Sequence, residues 1–248
     1  SYLRPSKIDG AKHAWAILAL LVKRLRQAWP RVRIIFRGDS GFCRWRMLSW
    51  CERHDVGYIV GIAKNQRLNA ITAQLQREAQ DCHDELGAKV RWFTEFRYAA
   101  GTWDRQRRVI AKIEHTSRGR NPRYLVTNLE GAPQALYDKL YCARGEMENR
   151  IKENQLDLFA DRTSCHRWWS NQFRLLLSSL AYSLLESIRR LALKDTELAQ
   201  AYVGTLRLKL LKIGAVILRN TRRIRFLLSS ACPYQQLFFL VAAKLAPE

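Results

Sequence analysis

Apolar residues near the start of this chain recur first at helical spacing and then in short continuous runs. From Ala11 to Trp29 they return every three or four positions, which predicts an amphipathic helix. The runs Val32–Phe36 and Val56–Ala63 are typical of strands buried on both faces, and the stretch from about Arg44 to His54 predicts a helix between them. Residues 2–8 resemble the end of a preceding strand. This alternation of strands and helices predicts an α/β domain with neighbouring parallel strands.

The middle of the chain changes to the two-residue period of half-buried strands. After a predicted helix at about Asn69–Glu78, apolar and charged residues alternate from Lys89 to Tyr98. Arg107–His115 and Arg123–Asn128 continue the strand pattern beyond turn residues. We therefore expect an antiparallel β region inserted into the α/β domain.

From Pro133 onward the pattern is mostly helical, with a long apolar-faced helix at about Asn171–Ala192. Residues 203–230 carry seven Lys or Arg and no acid. The stretches 206–218 and 222–228 predict a basic hairpin, and the residues after Pro233 predict a closing helix.

The charge of the chain indicates its class of partner. Its 248 residues include 43 Lys and Arg against 22 Asp and Glu, a formal net charge of +21. Such an excess favours nucleic acid, with a membrane surface as the weaker alternative. No apolar run approaches the ~18 residues of a membrane span, and the sequence shows no secretory leader. We therefore expect a nucleic-acid-binding protein without a membrane partner. The candidate backbone contacts in the basic hairpin are Arg222, Arg223 and Arg225.

The cysteines argue against a structural metal site. Six Cys stand at positions 43, 51, 82, 142, 165 and 232, and no two form a C-x-x-C pair. The five His are equally scattered. Structural zinc sites usually show such pairs, so the pattern argues against zinc and fits a reducing cytoplasm.

Asp39 directly follows the first apolar strand, in the string RGDSGF at positions 37–42. A carboxylate at the carboxyl end of a buried strand, in a basic neighbourhood, is well placed to hold a divalent ion beside a phosphate. The alternative is an Asp that caps the following turn, because Ser40 and Gly41 favour a bend. The residues around Asp39 alone leave both readings open.

A second acid, Glu148, lies in a predicted helix together with cations. Residues recur there at intervals of three or four positions, which on a regular helix gives one shared face: Tyr141, Arg144, Glu148, Lys152 and Gln155. Ordinary solvent-exposed ion pairs are the alternative explanation. The aromatic residue on this face and the strand-borne acid upstream favour a site that acts on phosphate.

In combination these motifs resemble the DDE transposases of bacterial insertion sequences, which belong to the ribonuclease H-like superfamily. The family signature is Tyr, two residues, Arg, three residues, Glu, six residues and Lys. Tyr141, Arg144 and Glu148 match it in type and spacing. Position 155 is Gln, so we expect Lys152, one turn earlier, to replace the Lys. The strings RGDSGF and ENRIKE are most similar to the insertion-sequence thirteen-eighty family, and the resemblance covers essentially the whole chain.

The resemblance implies a ribonuclease H-like core and metal-dependent phosphoryl transfer on DNA. Asp39 and Glu148 would be the second and third acids of the catalytic triad and would bind two Mg²⁺ ions, for which Mn²⁺ can substitute. The implied DNA contacts are Tyr141, Arg144, Lys152, Tyr124 and Lys64. A buried strand tyrosine is the alternative for Tyr124, and a surface lysine is the alternative for Lys64.

The resemblance also predicts that one catalytic acid is missing. Family members carry their first Asp on an earlier strand, whereas only one short predicted strand and one helix precede Asp39. Asp9 is the sole acid upstream and fits the start of a helix better. Because the chain also begins with Ser rather than Met, we expect an N-terminally truncated transposase.

These inferences predict four segments. Residues 1–64 form the first part of the ribonuclease H-like core, 65–132 a β-rich insertion, 133–192 the second part of the core, and 193–248 a basic C-terminal region. The predicted function is cleavage and strand transfer of insertion-sequence ends in the bacterial nucleoid. A homodimer would hold double-stranded transposon and target DNA. An inactive DNA-binding remnant and a ribonuclease H-like nuclease are the alternatives.

Overall fold

The computed structural model of the chain describes residues 2–246. They divide into two compact units. One unit is Arg4–Gly145, called here the sheet unit. The other runs from Glu146 to the C-terminus, includes the first residues of the chain, and is called the helical unit. The predicted division into two core parts, a β-rich insertion and a basic C-terminal region stays a prediction.

A six-stranded mixed sheet organises the sheet unit. Its strands are β1 (Ile35–Gly38), β2 (Gly57–Ile62), β3 (Val90–Tyr98), β4 (Arg107–Thr116), β5 (Gly119–Arg120) and β6 (Arg123–Thr127). The order across the sheet is β1-β2-β6-β4-β3, with β5 paired to β4. Strands β1 and β2 are parallel, as predicted, and the other pairs are antiparallel. The antiparallel region therefore continues the same sheet through the β2–β6 pair.

Both faces of this sheet are covered, which explains the unbroken apolar run of β2. Tyr58 and Val60 belong to one core, which includes residues of the helices α1 (Ala14–Ala28), α2 (Trp45–Arg53), α3 (Gln66–Ile71) and α4 (Ala73–Leu86). Ile59 points to the opposite core, which packs under the helical segment that begins with α5 (Pro133–Ala135) and continues to Arg144. Alternate residues of one strand therefore enter two different cores.

The structure corrects three predicted elements. Residues 2–8 form no strand; Pro5 lacks an N–H, and its carbonyl accepts the Ile8 N–H at 3.0 Å in a turn. Strand β1 begins three residues later than predicted, because its pairing with β2 starts at Ile35. The helix predicted at 69–78 is two helices that meet at Thr72 and reach Leu86.

The helical unit contains α6 (Gly145–Asp157), α7 (Trp168–Ala192), α8 (Val203–Leu206) and α9 (Gln235–Leu245). Its small core includes Leu185, Leu193 and Leu206. The predicted basic hairpin is confirmed as β7 (Ala215–Arg219) and β8 (Ile224–Leu228), whereas residues 207–211 continue α8 in a wide helical turn. Within residues 2–246, no helix combines the length and hydropathy that crossing a membrane requires.

Candidate active site

Asp39 lies at the edge of the sheet where the parallel strands β1 and β2 both end. Its backbone is extended, and its Oδ1 accepts the N–H of Gly41 at 2.9 Å, which caps the turn Ser40–Phe42. The side chain is exposed. Capping through one oxygen of an exposed carboxylate does not prevent it from binding a cation. The two readings of Asp39 are therefore compatible in this structure.

Tyr141, near the end of the sheet unit's sequence, also lies close to the Asp39 turn. A Cβ built at Gly61 would lie 3.0 Å from the Tyr141 hydroxyl oxygen, 3.1 Å from the Ser40 nitrogen and 3.4 Å from the Asp39 carbonyl carbon. The hydroxyl and the Asp39–Ser40 backbone thus converge on one spot of β2. Glycine at position 61 leaves the space in which they meet.

Three contacts fix the segment that carries Tyr141 over the sheet. Arg37 on β1 donates from Nη1 to the Leu140 carbonyl at 3.1 Å. Arg91 on β3 forms an ion pair with Asp138. On β4, the Lys112 ammonium lies 5.4 Å from the centroid of the Tyr137 ring. These contacts from three strands hold the segment in register with the sheet.

The segment is not one regular α-helix, so the prediction of a single helix through Tyr141 and Glu148 was wrong, and their shared face stays a prediction. Residues Leu136–Tyr141 form a wide π turn, Cys142–Arg144 a tight 3₁₀ turn, and the α-helix begins only at Gly145. The spacing rule of 3.6 residues therefore applies to Glu148 and Lys152 on α6, but it does not extend back to Tyr141. Wide turns of this kind are frequent at functional sites.

Charged groups surround the Tyr141 ring. The Arg144 guanidinium lies 5.7 Å from the ring centroid. Burial raises the pKa of the Tyr141 phenol; the positive charges of Arg144 and Arg123 oppose this rise, the Asp39 carboxylate adds to it, and the net direction is upward. The phenol therefore keeps its proton at neutral pH and can donate a hydrogen bond to a phosphate oxygen.

A row of cations continues from Asp39 along the same end of the sheet. Lys64 follows the end of β2, and Arg123 at the start of β6 pairs directly with Lys112 on β4. Burial lowers the pKa of Lys64, and the charges of Arg123 and Lys112 lower it further. Lys112 is neutralised by Glu114 at 2.7 Å, whereas Lys64 and Arg123 are exposed. Arg123 was not among the predicted contacts, because only the strand register brings it beside Lys64.

Tyr124 is a buried tyrosine of strand β6, which was the alternative to a DNA contact. Its side chain is 2 % exposed. Its hydroxyl lies 2.8 Å from the Thr72 hydroxyl and donates to Asn69 Oδ1 at 3.0 Å. Stacking on an extruded base would require this ring to leave the core.

The remaining predicted residues lie in the helical unit. Glu148 and Lys152 are exposed residues of α6, one turn apart. Two acids farther along α6 have structural roles: Glu153 accepts the Val203 N–H at 2.9 Å and Asp157 accepts the Gly204 N–H at 3.1 Å, so together they cap α8. Glu146 and Glu148 are the two acids in the first turn of α6; both are exposed, and Glu146 forms an ion pair with Arg150 on the same helix.

The three predicted hairpin arginines are exposed: Arg222 and Arg223 lie in the turn between β7 and β8, and Arg225 lies in β8. The side chain of Asn220 accepts the backbone N–H groups of Arg222 at 3.1 Å and Arg223 at 2.8 Å. This Asx-type turn orders the backbone while the arginine side chains extend into solvent, where phosphate can reach them.

Comparison with known proteins identifies the family of the chain. The sequence model of one family, described as Transposase DDE domain group 1, matches residues 1–248. The chain belongs to this transposase family. No curated protein matches the chain.

As a DDE transposase domain, the chain is expected to use carboxylates as ligands for divalent ions. The exposed carboxylate of Asp39 is the hard oxygen donor that Mg²⁺ prefers. Among residues 2–246, however, no three His, Cys, Asp or Glu side chains form a group that could hold a metal ion. Asp9 does not add to Asp39: its Oδ1 accepts the Ala11 N–H at 2.9 Å and it pairs with Arg44, as expected for a helix-start residue. Asp39 is chemically suited to bind a metal ion. The described residues of this domain do not by themselves complete a three-acid site.

Proposed function

We propose that this chain belongs to a DNA transposase of the insertion-sequence thirteen-eighty type, with a ribonuclease H-like core. It would cleave and join the ends of the element in bacterial cells, on the nucleoid. The observation that carries this proposal is the convergence of Asp39 and the Tyr141 hydroxyl at Gly61, beside exposed cations. A carboxylate, a phenol and cationic side chains at the end of one strand are the groups that would bind a phosphate together with its metal ions.

Asp39 and Glu148 are the proposed metal ligands. Two divalent ions, Mg²⁺ or Mn²⁺, would supply activation of the attacking oxygen and stabilisation of the leaving oxygen. The residues of the chain orient the DNA. The Tyr141 phenol donates a hydrogen bond to a phosphate oxygen. Arg144, Lys152, Lys64 and the newly found Arg123 neutralise the backbone on either side.

The first catalytic Asp is proposed to lie upstream of residue 1, on a strand that pairs with β1. In support, β1 pairs with β2 on one side only, and no strand among residues 2–246 occupies its other edge. Without such a strand, the outer edge of β1 presents unpaired backbone N–H and C=O groups, to which another strand can pair. An upstream strand at this edge would bring a further acid next to Asp39.

The proposed homodimer has a suitable surface on α7. Large apolar side chains are exposed there at alternating spacings of three, four or seven residues: Phe173, Leu177, Leu180, Leu184 and Leu191. This is the spacing of a helix–helix seam. The hydroxyls of Ser183 and Ser187 donate to carbonyls one turn earlier, so burial leaves them satisfied. A second copy presents the same uncharged seam, and we propose that copy as its partner.

Reconstitution tests the catalytic proposal. The 248 residues alone should bind transposon-end DNA but neither nick nor join it in Mg²⁺ or Mn²⁺, because in this proposal they supply only two of the three acids. Adding an N-terminal segment with the upstream strands should restore both steps, and Glu148→Gln should abolish them again. A nuclease would cut without joining, and an inactive remnant would stay inactive after the addition. Cleavage by the 248 residues alone would contradict the placement of the missing acid.

Gly61→Ala tests the geometry of the site. The new methyl group would lie 3.0 Å from the Tyr141 hydroxyl, so this hydroxyl or the Asp39 turn must move. We expect cleavage by the reconstituted enzyme to fall by about 100-fold, the cost of misplacing a catalytic group by about 1 Å. Gly101→Ala is the control, because a Cβ there meets nothing within 4 Å. Equal activity of both variants would remove Tyr141 from the site.

The α7 seam is tested by sedimentation velocity. Leu180→Lys with Leu184→Lys should shift the assembly to a monomer. Leu86→Lys should leave it unchanged, because Leu86 is an exposed leucine of the sheet unit. A dimer that survives the double substitution would exclude this seam as the interface.

A further inference from the structure

A cavity of about 570 Å³ opens in the sheet unit, away from the row of cations that follows Asp39. The first residues of α1 and α2 line it, together with the turns that precede them. The residues that give it chemical character are Lys12, His13, Trp15, Arg44, Trp45 and Arg46.

Two tryptophans offer aromatic surface in the wall of this cavity. Trp15 is 44 % exposed and Trp45 is 37 % exposed. The Arg46 guanidinium lies 5.5 Å from the Trp45 ring centroid. Exposed indole rings beside arginine provide the surface on which unpaired nucleic-acid bases stack, whatever the sequence.

The charges of the cavity favour an anion. Lys12, Arg44 and Arg46 line it against one acid, Asp9. That acid is already engaged by Arg44 and by the Ala11 N–H. Phosphate groups are therefore attracted to the same walls that carry the indole rings.

The size and position of the cavity limit the kinds of ligand that it can bind. Its volume is in the range of small-molecule pockets and admits one or two nucleotides, whereas a base-paired duplex is too wide to enter. Arg44 follows Asp39 by five residues, so the chain between them spans no more than about 18 Å. The cavity is thus within a few nucleotides of the proposed metal ligand.

We propose that this cavity binds unpaired nucleotides of a single-stranded DNA segment, with bases stacked on Trp15 and Trp45 and phosphates held by Lys12, Arg44 and Arg46. The link to a strand that is being cut rests on the proposed transposase function. Binding of single-stranded DNA as such does not depend on catalysis. The cavity would hold the strand that leaves the duplex beside Asp39.

Binding of a labelled single-stranded 12-mer and of the matched duplex to the full 248-residue chain tests this inference. Fluorescence anisotropy is measured in EDTA, so that no chemistry takes place. Trp15→Ala and Trp45→Ala should each weaken single-strand binding by about 5- to 100-fold, the usual effect of losing one stacking ring. Duplex affinity should stay within about twofold. Trp45→Phe should recover part of the loss, because it restores a stacking face.

Trp29→Ala is the matched control: Trp29 is a more exposed tryptophan at the far end of α1 and does not line the cavity. It should change neither affinity, and thermal melts should show that all variants fold. Equal losses on single strand and duplex, or no loss on either, would overturn the inference. So would a chain extended by the upstream segment that no longer binds the 12-mer, since that segment would then fill the cavity.

The two proposals fail in different ways. Glu148→Gln should keep single-strand binding, because Glu148 is not a residue of the cavity. If the reconstituted enzyme never cleaves, yet the tryptophan variants lose single-strand binding, the transposase mechanism fails and the cavity assignment stands. If cleavage occurs and the tryptophan variants bind normally, the cavity assignment alone fails.

Discussion

Strand β4 and the hairpin β7–β8 are built from similar apolar residues and lie in opposite environments. In β4, Ile110 is 0 % exposed, and even Lys112 and Glu114 are buried. In the hairpin all ten strand residues are exposed, and Ile217 is 61 % exposed. Apolar strand sequence therefore does not decide burial; the elements that cover each face decide it.

The pairing pattern gives the reason for this difference. Strand β4 is paired on both sides, by β3 and β6, and lies between two cores. The hairpin strands pair only with each other among the described residues. Opposite residues such as Ile217 and Phe226 lie on one face, and Val216 and Leu227 lie on the other, so both faces are apolar and open. An isolated two-stranded hairpin is only marginally stable in water.

The two regions also treat their cations differently. In the sheet unit, Arg107 is buried and pairs with Glu52 and Asp104. In the hairpin, none of the arginines forms an ion pair within residues 2–246. Arg107 thus neutralises acids within the sheet unit, whereas the hairpin arginines are exposed to solvent.

Hydrogen exchange should show the largest difference between the two regions. Amides in the middle of β4 should exchange only through global opening, with a free energy of about 5 kcal/mol or more. Hairpin amides should open with a free energy close to zero in the free protein, because no layer covers them. Mass spectrometry of exchanged peptides measures both. Similar protection in β4 and the hairpin would contradict the comparison.

A matched pair of isoleucines tests the role of burial. Ile110→Ala should lower the free energy of unfolding by about 2–5 kcal/mol, because it leaves a cavity between packed strands. Ile217→Ala should change it by no more than about 0.5 kcal/mol, because the side chain is already in water. Urea unfolding followed by tryptophan fluorescence measures both. A large loss from Ile217→Ala would mean that something covers the hairpin in solution.

Glu114 predicts a pH dependence that belongs to the sheet unit. Burial alone would raise its pKa, but hydrogen bonds from Lys112 and Lys89 outweigh burial and lower the pKa to about 2. Because the folded value lies below the unfolded value, the charge stabilises the fold above about pH 4.5 and this stabilisation is lost as the pH falls toward 2. Glu114→Gln should therefore cost about 3 kcal/mol at pH 7 and progressively less in acid.

Unfolding curves between pH 7 and pH 2 measure this effect. Glu130→Gln is the control, because Glu130 is exposed and should show little effect at any pH. A cost for Glu114→Gln that stays constant from pH 7 to pH 2 would show that the ion pair is not its origin.

The hairpin cations should show the smallest effect on folding, with their main consequence in DNA binding. Replacing Arg222, Arg223 and Arg225 by Gln should reduce the slope of log affinity against log salt by about 2.7, or 0.9 for each lost phosphate contact. The free energy of unfolding should hardly change. Duplex binding at several salt concentrations measures the slope. The control removes the same charge from the sheet unit, at the exposed Arg24, Arg31 and Arg33. Equal slopes for both triple variants would make the hairpin ordinary surface charge.

Much of the fold could be predicted from local sequence, where one period dominates. The apolar run at 56–63 predicted a doubly buried strand, and β2 lies between two cores. Alternation at 89–98 predicted β3 within one residue. The prediction failed where local rules compete: Pro5 prevents a strand at 2–8, and Thr72 interrupts a helix through its hydroxyl contacts with Leu68 and Tyr124.

The candidate site divides in the same way. The strings around Asp39 and Glu148 indicated the family, and the family match covers the chain. The positions of Tyr141 and Arg144 depended on π and 3₁₀ turns that a 3.6-residue rule does not foresee. Arg123 and Gly61 carried no local signal, because their importance comes only from neighbours on other strands.

The sequence by itself determined the strand and helix periods, the excess of positive charge and the motif that indicates the family, since all of these are properties of short stretches or of composition. Only the tertiary structure decided that the Tyr141 hydroxyl meets the Asp39 turn at Gly61 and that two indole rings line one cavity with Arg44. It also decided that apolar strands are buried at β4 and open at the hairpin. Contacts between distant residues depend on strand order, register and the layers above each face, and local patterns do not encode these.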